Sequence, residues 1–230
     1  DIDYKNWCMY IESIFNRLGR EPKSILEMAC GTGNLSYYMA MKGYDLTCFD
    51  LSPEMLSIAY NKLRKFKNVK LLNQNMVDFC INKRFDIVLS ICDSINYIRD
   101  KDNLLLTFKN VREHLNEDGI FIFDINSYYK LKHIIGNNTF VEDKEDIFYV
   151  WQNYFDEIND IAEFYLTFFV LDEENNYARF DEEHFEKAYH KDEIIELLEL
   201  ASFKQIYCFD GFTFNEPSDK SERINFVARI

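Results

Sequence analysis

Short, nearly continuous apolar runs alternate along the first half of the chain with stretches whose apolar residues return every three or four positions. Runs of the first kind read as strands covered on both faces, and stretches of the second kind as helices with one face on a core. Trp7, Ile11, Ile14, Phe15 and Leu18 line one face of a helix over residues 3–18, and Gly19 stands just past its end. Residues 25–28 then predict a buried strand, followed by a helix through Leu35, Tyr38 and Met39 that stops at Gly43. A second strand is expected at Asp45–Asp50. Ser52-Pro53-Glu54 opens the next helix with an N-cap serine, a proline at the first helical position and an acid in the first turn. Further strands are expected at Val69–Asn73, 85–91 and 119–124, with a helix over 102–115 carrying Leu105, Phe108, Val111 and Leu115. Five strands alternating with helices through short connections predict an α/β fold on a parallel sheet with right-handed crossovers.

After Asn126 the rhythm changes. Residues 147–155, 161–171 and 177–189 read as three aromatic-rich strands joined by polar turns, which predicts an inserted antiparallel meander. A helix over 190–201 and two closing strands, 203–209 and 223–230, complete the chain. The expected organisation is one domain built from 1–126 and 190–230, with 127–189 as an inserted subdomain covering the substrate. Tyr149, Trp151, Phe155, Phe164 and Phe168 give the insertion an apolar face, suited to a wall over the site or, alternatively, to a homodimer surface.

Composition narrows the function. The net charge of −14 disfavours a nucleic acid partner. Residues 141–200 hold 19 acidic and 4 basic side chains, a net of −15, so the rest of the chain nets +1. The excess reads as a solvated face; its functional reading is a lid that prefers cationic or amine-bearing small molecules. Six cysteines without a C-x-x-C pair read as reduced thiols, and four histidines without a ligand pattern predict no metal. No apolar run reaches membrane-spanning length and no signal-peptide pattern is visible, so the expected location is cytoplasmic, without membrane contact.

The chemistry concentrates at Ser24 to Ser36, where the first strand runs into a glycine-bearing turn and a helix start. Gly31 and Gly33 permit unusual φ and close backbone approach, and the helix N-terminus presents free N–H groups. A dinucleotide fingerprint would need glycine at 29, 31 and 34, where Ala29, Gly31 and Asn34 stand. Glu27, just before the turn, would repel a pyrophosphate but attract an ammonium group. Asp50 closes the second strand, where a carboxylate can accept both hydroxyls of a ribose.

Ile-Leu-Glu-Met-Ala-Cys-Gly-Thr-Gly-Asn, then Cys-Phe-Asp-Leu-Ser-Pro-Glu-Met-Leu, then Phe-Asp-Ile-Val-Leu-Ser resembles the class I S-adenosylmethionine-dependent methyltransferases over roughly residues 24–124. Ala29 replaces the first glycine of the family's turn. The resemblance implies a Rossmann-like, mostly parallel seven-stranded sheet and S-adenosylmethionine as cofactor, with S-adenosylhomocysteine as product. It also implies that Glu27 lies near the methionine ammonium, that Ala29, Gly31 and Gly33 pass against methionine and ribose, and that Asp50 holds the ribose. Leu51, Met55, Asn75 and Met76 would surround the adenine, with Asp78 a weaker substitute for Asn75. Cys92 and Asp93 would end the fourth strand beside the ligand, and Tyr4 and Trp7 of the first helix would cover it.

Such an enzyme aligns and desolvates its reactants and sometimes supplies a base. Asp93, Tyr97, Tyr129 and His184 are the candidates for catalytic roles, with Asn96 and Tyr128 beside them. The expected activity is methyl transfer to a nitrogen or oxygen of a small molecule. Alternatives are a tRNA or protein methyltransferase and a non-catalytic cofactor-binding module; a nicotinamide-dependent oxidoreductase is disfavoured by Glu27 and Asn34.

Overall fold

The computed structural model describes residues 2–172 and 174–230. The first half alternates α1 (Tyr4–Arg17), β1 (Ser24–Met28), α2 (Asn34–Met41), β2 (Asp45–Asp50), α3 (Pro53–Leu63), β3 (Val69–Asn73), β4 (Phe85–Ser90), α4 (Lys101–His114) and β5 (Leu115–Asn126). Four antiparallel strands follow, β6 (Thr139–Lys144), β7 (Ile147–Asp156), β8 (Ile161–Leu171) and β9 (Tyr177–Lys187), and then α5 (Lys191–Leu200), β10 (Gln205–Asp210) and β11 (Arg223–Arg229). The main sheet has seven strands in the order β10-β11-β5-β4-β1-β2-β3. All its pairings are parallel except those of β11, which runs antiparallel to both β5 and β10. The order reverses at β1, which has β4 on one side and β2 on the other; that is where an open α/β sheet leaves a crevice beyond its strand ends.

Local signals place the helices. Asp3 accepts from the Asn6 amide at 3.0 Å and Ser52 from that of Met55 at 3.1 Å, so α1 and α3 start on side-chain caps. Ile11, Ile14 and Phe15 of α1 and Leu35 and Met39 of α2 pack on one face of the sheet with Ile25, Cys48, Ile87 and Ile122. Phe108 and Val111 of α4 and Ile194 and Leu198 of α5 cover the other, against Leu26, Val88, Phe123 and Phe226. Both faces are thus sealed, as the continuous apolar runs require.

Two sequence expectations are corrected. The insertion has four strands rather than three: β6 is exposed along its whole length and carries no alternation, so periodicity misses it. β5 begins at Leu115 rather than 119, because the register with β4 shifts between Phe85 and Ile87 and the extra residues enter the strand there. A π-type turn at Lys130–Ile135 links β5 to the insertion. Among the described residues no helix is long and apolar enough to cross a membrane.

Candidate active site

The turn after β1 winds through three left-handed residues, Ala29 (φ 50°), Gly31 (φ 53°) and Gly33 (φ 72°). Asp50 at the end of β2 holds it: its Oδ2 accepts from the Gly31 amide at 2.7 Å, and its Oδ1 accepts from the Ser52 amide at 2.9 Å. One carboxylate therefore ties the glycine turn to the start of α3 and keeps lone pairs free. The two glycines differ. A Cβ on Gly31 would meet nothing within 4 Å, whereas one on Gly33 would lie 2.8 Å from Leu63 Cδ1 and 3.2 Å from the Ala59 Cβ. Gly33 is required by the packing of α2 on α3; only Gly31 faces open space. Gly33→Ala is expected to destabilise by about 2–4 kcal/mol through clash and left-handed strain. Gly31→Ala should cost only about 1–2 kcal/mol from backbone strain. Urea titration of both variants checks the contrast; equal losses would contradict it.

Glu27 is buried beneath the turn, 3% exposed, and its Oε2 accepts from the Ser36 hydroxyl at 2.5 Å. Burial pushes its pKa up to about 7; the Ser36 and Cys48 hydrogen bonds oppose this and the Asp50 charge adds to it. Leu51 and Met55 stand 67% and 44% exposed beside Asp50. Asn75 is exposed, its Oδ1 accepting from the Val77 amide at 3.0 Å, and Asp78 is exposed as well. Met76 packs on the main core, with the Ser90 hydroxyl 3.9 Å from its sulfur. Tyr4 is half-buried; burial first, then Cys92, Glu27 and Asp93 raise its hydroxyl pKa, so α1 brings the phenol to this end of the sheet. Trp7 turns inward, 3% exposed, edge-on to Phe212 at 4.6 Å and under the Arg223 guanidinium at 5.7 Å. It packs the base of the site and does not line an open cleft.

Beyond β4, Cys92 and Asp93 are both left-handed, at φ 58° and 57°, a strained non-glycine pair of the kind concentrated at functional sites. Asp93 is one corner of a buried polar network that the motifs do not reveal. Arg223 Nη2 donates to Asp93 Oδ1 at 2.9 Å, and Nη1 donates to Asp124 Oδ2. The Asp93 amide donates to the same Asp124 oxygen at 3.1 Å. Asn126 Oδ1 accepts from Lys130 Nζ at 2.8 Å and Arg223 Nη2 at 3.3 Å, so the opposite end of the amide, Nδ2, donates to Glu186 Oε2 at 2.9 Å. Burial and then the Asp93 charge push Glu186 up to about 8. A usable signal existed: Asp124 interrupts an apolar strand, and a charge there needs a partner. The partner itself, ninety-nine residues away at the start of β11, has no local signature.

Tyr97 and His184 are brought together, Oη to Nδ1 at 3.3 Å, and His184 Nε2 lies 3.3 Å from Glu182 Oε2. Burial, Glu186, Asp93 and Glu182, in that order, raise the Tyr97 pKa, which places its hydroxyl among these acids. Asn96 is spent on structure: Nδ2 donates to the carbonyls of Asn126 and Lys187 and Oδ1 accepts from the Asn126 amide, which clamps β9 to β5. Tyr129 departs from its expected place. Lys130 returns to Asn126 through the tight turn after Ser127, and Tyr129 is thrown into a separate cavity of about 340 Å3 with His133, Tyr189 and Pro217. Tyr128 stacks on His190 at 4.1 Å in the same cavity.

The ends of β1 and β2 thus present a left-handed turn with an uncovered glycine, an acid under it and a second acid one strand along. The donor set suits S-adenosylmethionine: Glu27 can take the ammonium, Asp50 a ribose diol, and Gly31 leaves the backbone bare. A family described as a methyltransferase domain matches residues 25–119. "Putative methyltransferase YqeM" of Bacillus subtilis (strain 168) is 37% identical over 98% of this chain and 90% of its own length. A crystal structure of an S-adenosylmethionine-dependent methyltransferase from Clostridium acetobutylicum superposes with a TM-score of 0.93 at 40% identity, covering 100% of this chain and 93% of that one. A dTDP-3-amino-3,4,6-trideoxy-alpha-D-glucopyranose N,N-dimethyltransferase of Streptomyces venezuelae is 28% identical over 53% of this chain and 50% of its own. The chain belongs to the class I S-adenosylmethionine-dependent methyltransferases. It is a methyltransferase with S-adenosylmethionine as cofactor.

Proposed function

We propose that this methyltransferase acts on an amine nitrogen of a small molecule. The observation that carries the reading is the cluster beyond β4 and β5 in which Asp93 and Glu186 lie close to Tyr97, itself bonded to His184 of β9. Carboxyl groups there favour an amine over a neutral hydroxyl acceptor, and the amino-sugar dimethyltransferase among the relatives points to the same nucleophile.

In this reading Glu27, Asp50, Gly31, Leu51, Met55, Asn75 and Met76 surround the cofactor, with Tyr4, Cys92 and Asp93 at its reactive end. Ala29 and Gly33 shape the turn. S-adenosylmethionine, when bound, supplies a methyl carbon made electrophilic by the sulfonium. The protein orients the acceptor and removes its proton. An ammonium cannot attack until it is neutral, and a carboxyl pushed up to about 8 is matched to that transfer. Glu186 Oε1, the oxygen that Asn126 leaves free, is the proton acceptor.

The test is turnover with labelled S-adenosylmethionine on paired small amines and their hydroxyl analogues. Product is expected from amines only, with kcat rising toward pH 8 and falling at least 100-fold in Glu186→Gln. O-methylated product, or Glu186→Gln at full rate, would overturn the reading.

Glu27 adds a pH dependence to binding. Its pKa is raised on folding, so the folded protein loses stability as pH rises from the unfolded value toward 7. An ammonium ligand needs the ionised form, so affinity moves the other way. S-adenosylhomocysteine affinity should rise roughly eightfold from pH 6 to pH 7.5 for a pKa near 7. Calorimetry of the wild type and Glu27→Gln checks this; a wild-type profile as flat as the variant's would rule it out.

A further inference from the structure

Tyr149, Trp151, Phe155, Phe164 and Phe168, expected to give the insertion an apolar face, do share one face of its sheet. Side chains alternate along a strand, so Phe164, Leu166 and Phe168 of β8 point the same way. The register sets Trp151 and Tyr149 of β7 and His184, Glu182 and Phe180 of β9 beside them. The part of this face nearest the main domain is covered: Phe155, Ala162 and Phe164 are buried with Leu131 and Ile135. Farther out, Tyr149, Phe168 and Phe180 form a ladder of rings with centroids 5.5 and 4.9 Å apart, and Phe140 of β6 lies 5.2 Å from Trp151. Among the described residues neither the ladder nor Phe140 joins a buried cluster, and Phe140 and Phe180 are 37% and 43% exposed.

The opposite face needs no cover. Thr167 donates to Asp181 at 2.6 Å, and Arg179 donates to Asp181 at 3.0 Å while lying over the Phe169 ring. Asp143, Glu163 and Glu183 stand on that face as well. A sheet must bury its apolar face on a second layer. A small acceptor is too short to be that layer: Phe180 lies six residues along β9 from Glu186, about 20 Å away. The uncovered stretch is four strands wide and measures about 19 by 20 Å. Side chains standing on it would bury roughly 600 Å2 per copy in a symmetric pair, about 1,200 Å2 in all, which is where stable interfaces begin. Charge permits a like copy to approach. The inward carboxylates of this stretch are engaged, Glu142 with Lys144 at 4.0 Å and Glu182 with His184 at 3.3 Å. A cationic partner would be drawn to the acidic opposite face instead.

We propose that the same face of a second copy of this chain covers the ladder, the two sheets packing about 10 Å apart around a twofold axis. Each ladder then buries the other, and water is excluded from the outer end of the wall that carries His184. The inference is independent of which atom is methylated.

Sedimentation velocity on the full chain, from about 1 to about 100 μM, tests it. The wild type should sediment at twice the chain mass of 27.6 kDa. Phe168→Glu puts a charge in the middle of the ladder and should weaken association roughly 100-fold or more, leaving a monomer with unchanged circular dichroism. Phe180→Lys on β9 should do the same, and Tyr165→Glu on the opposite face should leave the dimer intact. A wild type that is monomeric at the higher concentration would overturn the proposal. So would a dimer that survives both Phe168→Glu and Phe180→Lys, or one broken by Tyr165→Glu alone. Should Phe168→Glu fail to fold, Phe180→Lys decides, since its ring is already exposed.

Discussion

Asp50→Ala is expected to lose at least 100-fold in affinity for S-adenosylhomocysteine, about 2.8 kcal/mol at 1.4 kcal/mol per decade. Two effects combine. The carboxylate that can accept a ribose diol disappears, and so do the two bonds by which it holds the Gly31 and Ser52 amides. Hydrogen bonds to a charged acceptor contribute about 1.5–3 kcal/mol, so the turn should also loosen and stability fall by about that much. Asp50→Asn separates the contributions, because the amide keeps one acceptor oxygen and gives up the charge. It should keep only one of the two bonds, to Gly31 or to Ser52, and so recover about half of the stability lost in Asp50→Ala while still losing tenfold or more in affinity. Calorimetry alongside urea denaturation reads both quantities. Asp50→Ala with unchanged affinity would mean that the ribose lies elsewhere.

Arg223→Met should be the most destabilising single change in the site. It leaves Asp93 and Asp124 side by side without a cation, and Asp124 is wholly buried. Removing one partner of a buried pair typically costs about 3–5 kcal/mol. For a chain of this size that corresponds to roughly 10 °C in melting temperature. The deficit should depend on pH, and the sign follows from Asp124. Burial raises its pKa to about 6 even with Arg223 opposing, so the folded state favours the protonated acid. Loss of the guanidinium raises it further. Below the folded pKa the acid is neutral and needs no partner, so Arg223→Met should be less damaged at pH 5 than at pH 8. A loss under 1 kcal/mol at both values would show that the arginine does not compensate these acids. The variant should also lose packing at Trp7, whose ring lies 5.7 Å from the guanidinium carbon.

Much of this site was legible along the chain because its cofactor half is local. Glu27, Ala29, Gly31 and Gly33 lie within seven residues, and Asp50 closes the neighbouring strand. The acceptor half is assembled from distant pieces. Asp93 and Tyr97 follow β4, Asn126 and Lys130 follow β5, His184 and Glu186 come from β9, and Arg223 opens β11. Tyr97 and His184 could be singled out separately from the types of residue near strand ends, but their pairing needs β9 folded back over β5, which Asn96 secures. Tyr129 shows the converse. Its place just after a core strand suggested the chamber, and one tight turn sends it to another cavity.

Determined by sequence alone were the alternating α/β order, the glycine turn with an acid on either side of it, and the concentration of negative charge in residues 141–200. These rest on periodicity, backbone preference and composition, which act over a few residues. Decided only by tertiary structure were the exposed fourth strand of the insertion, the division of labour between Gly31 and Gly33, and the Arg223 network. Each of these depends on which side chains meet across the sheet, and such contacts exist only once the strands have been brought into register.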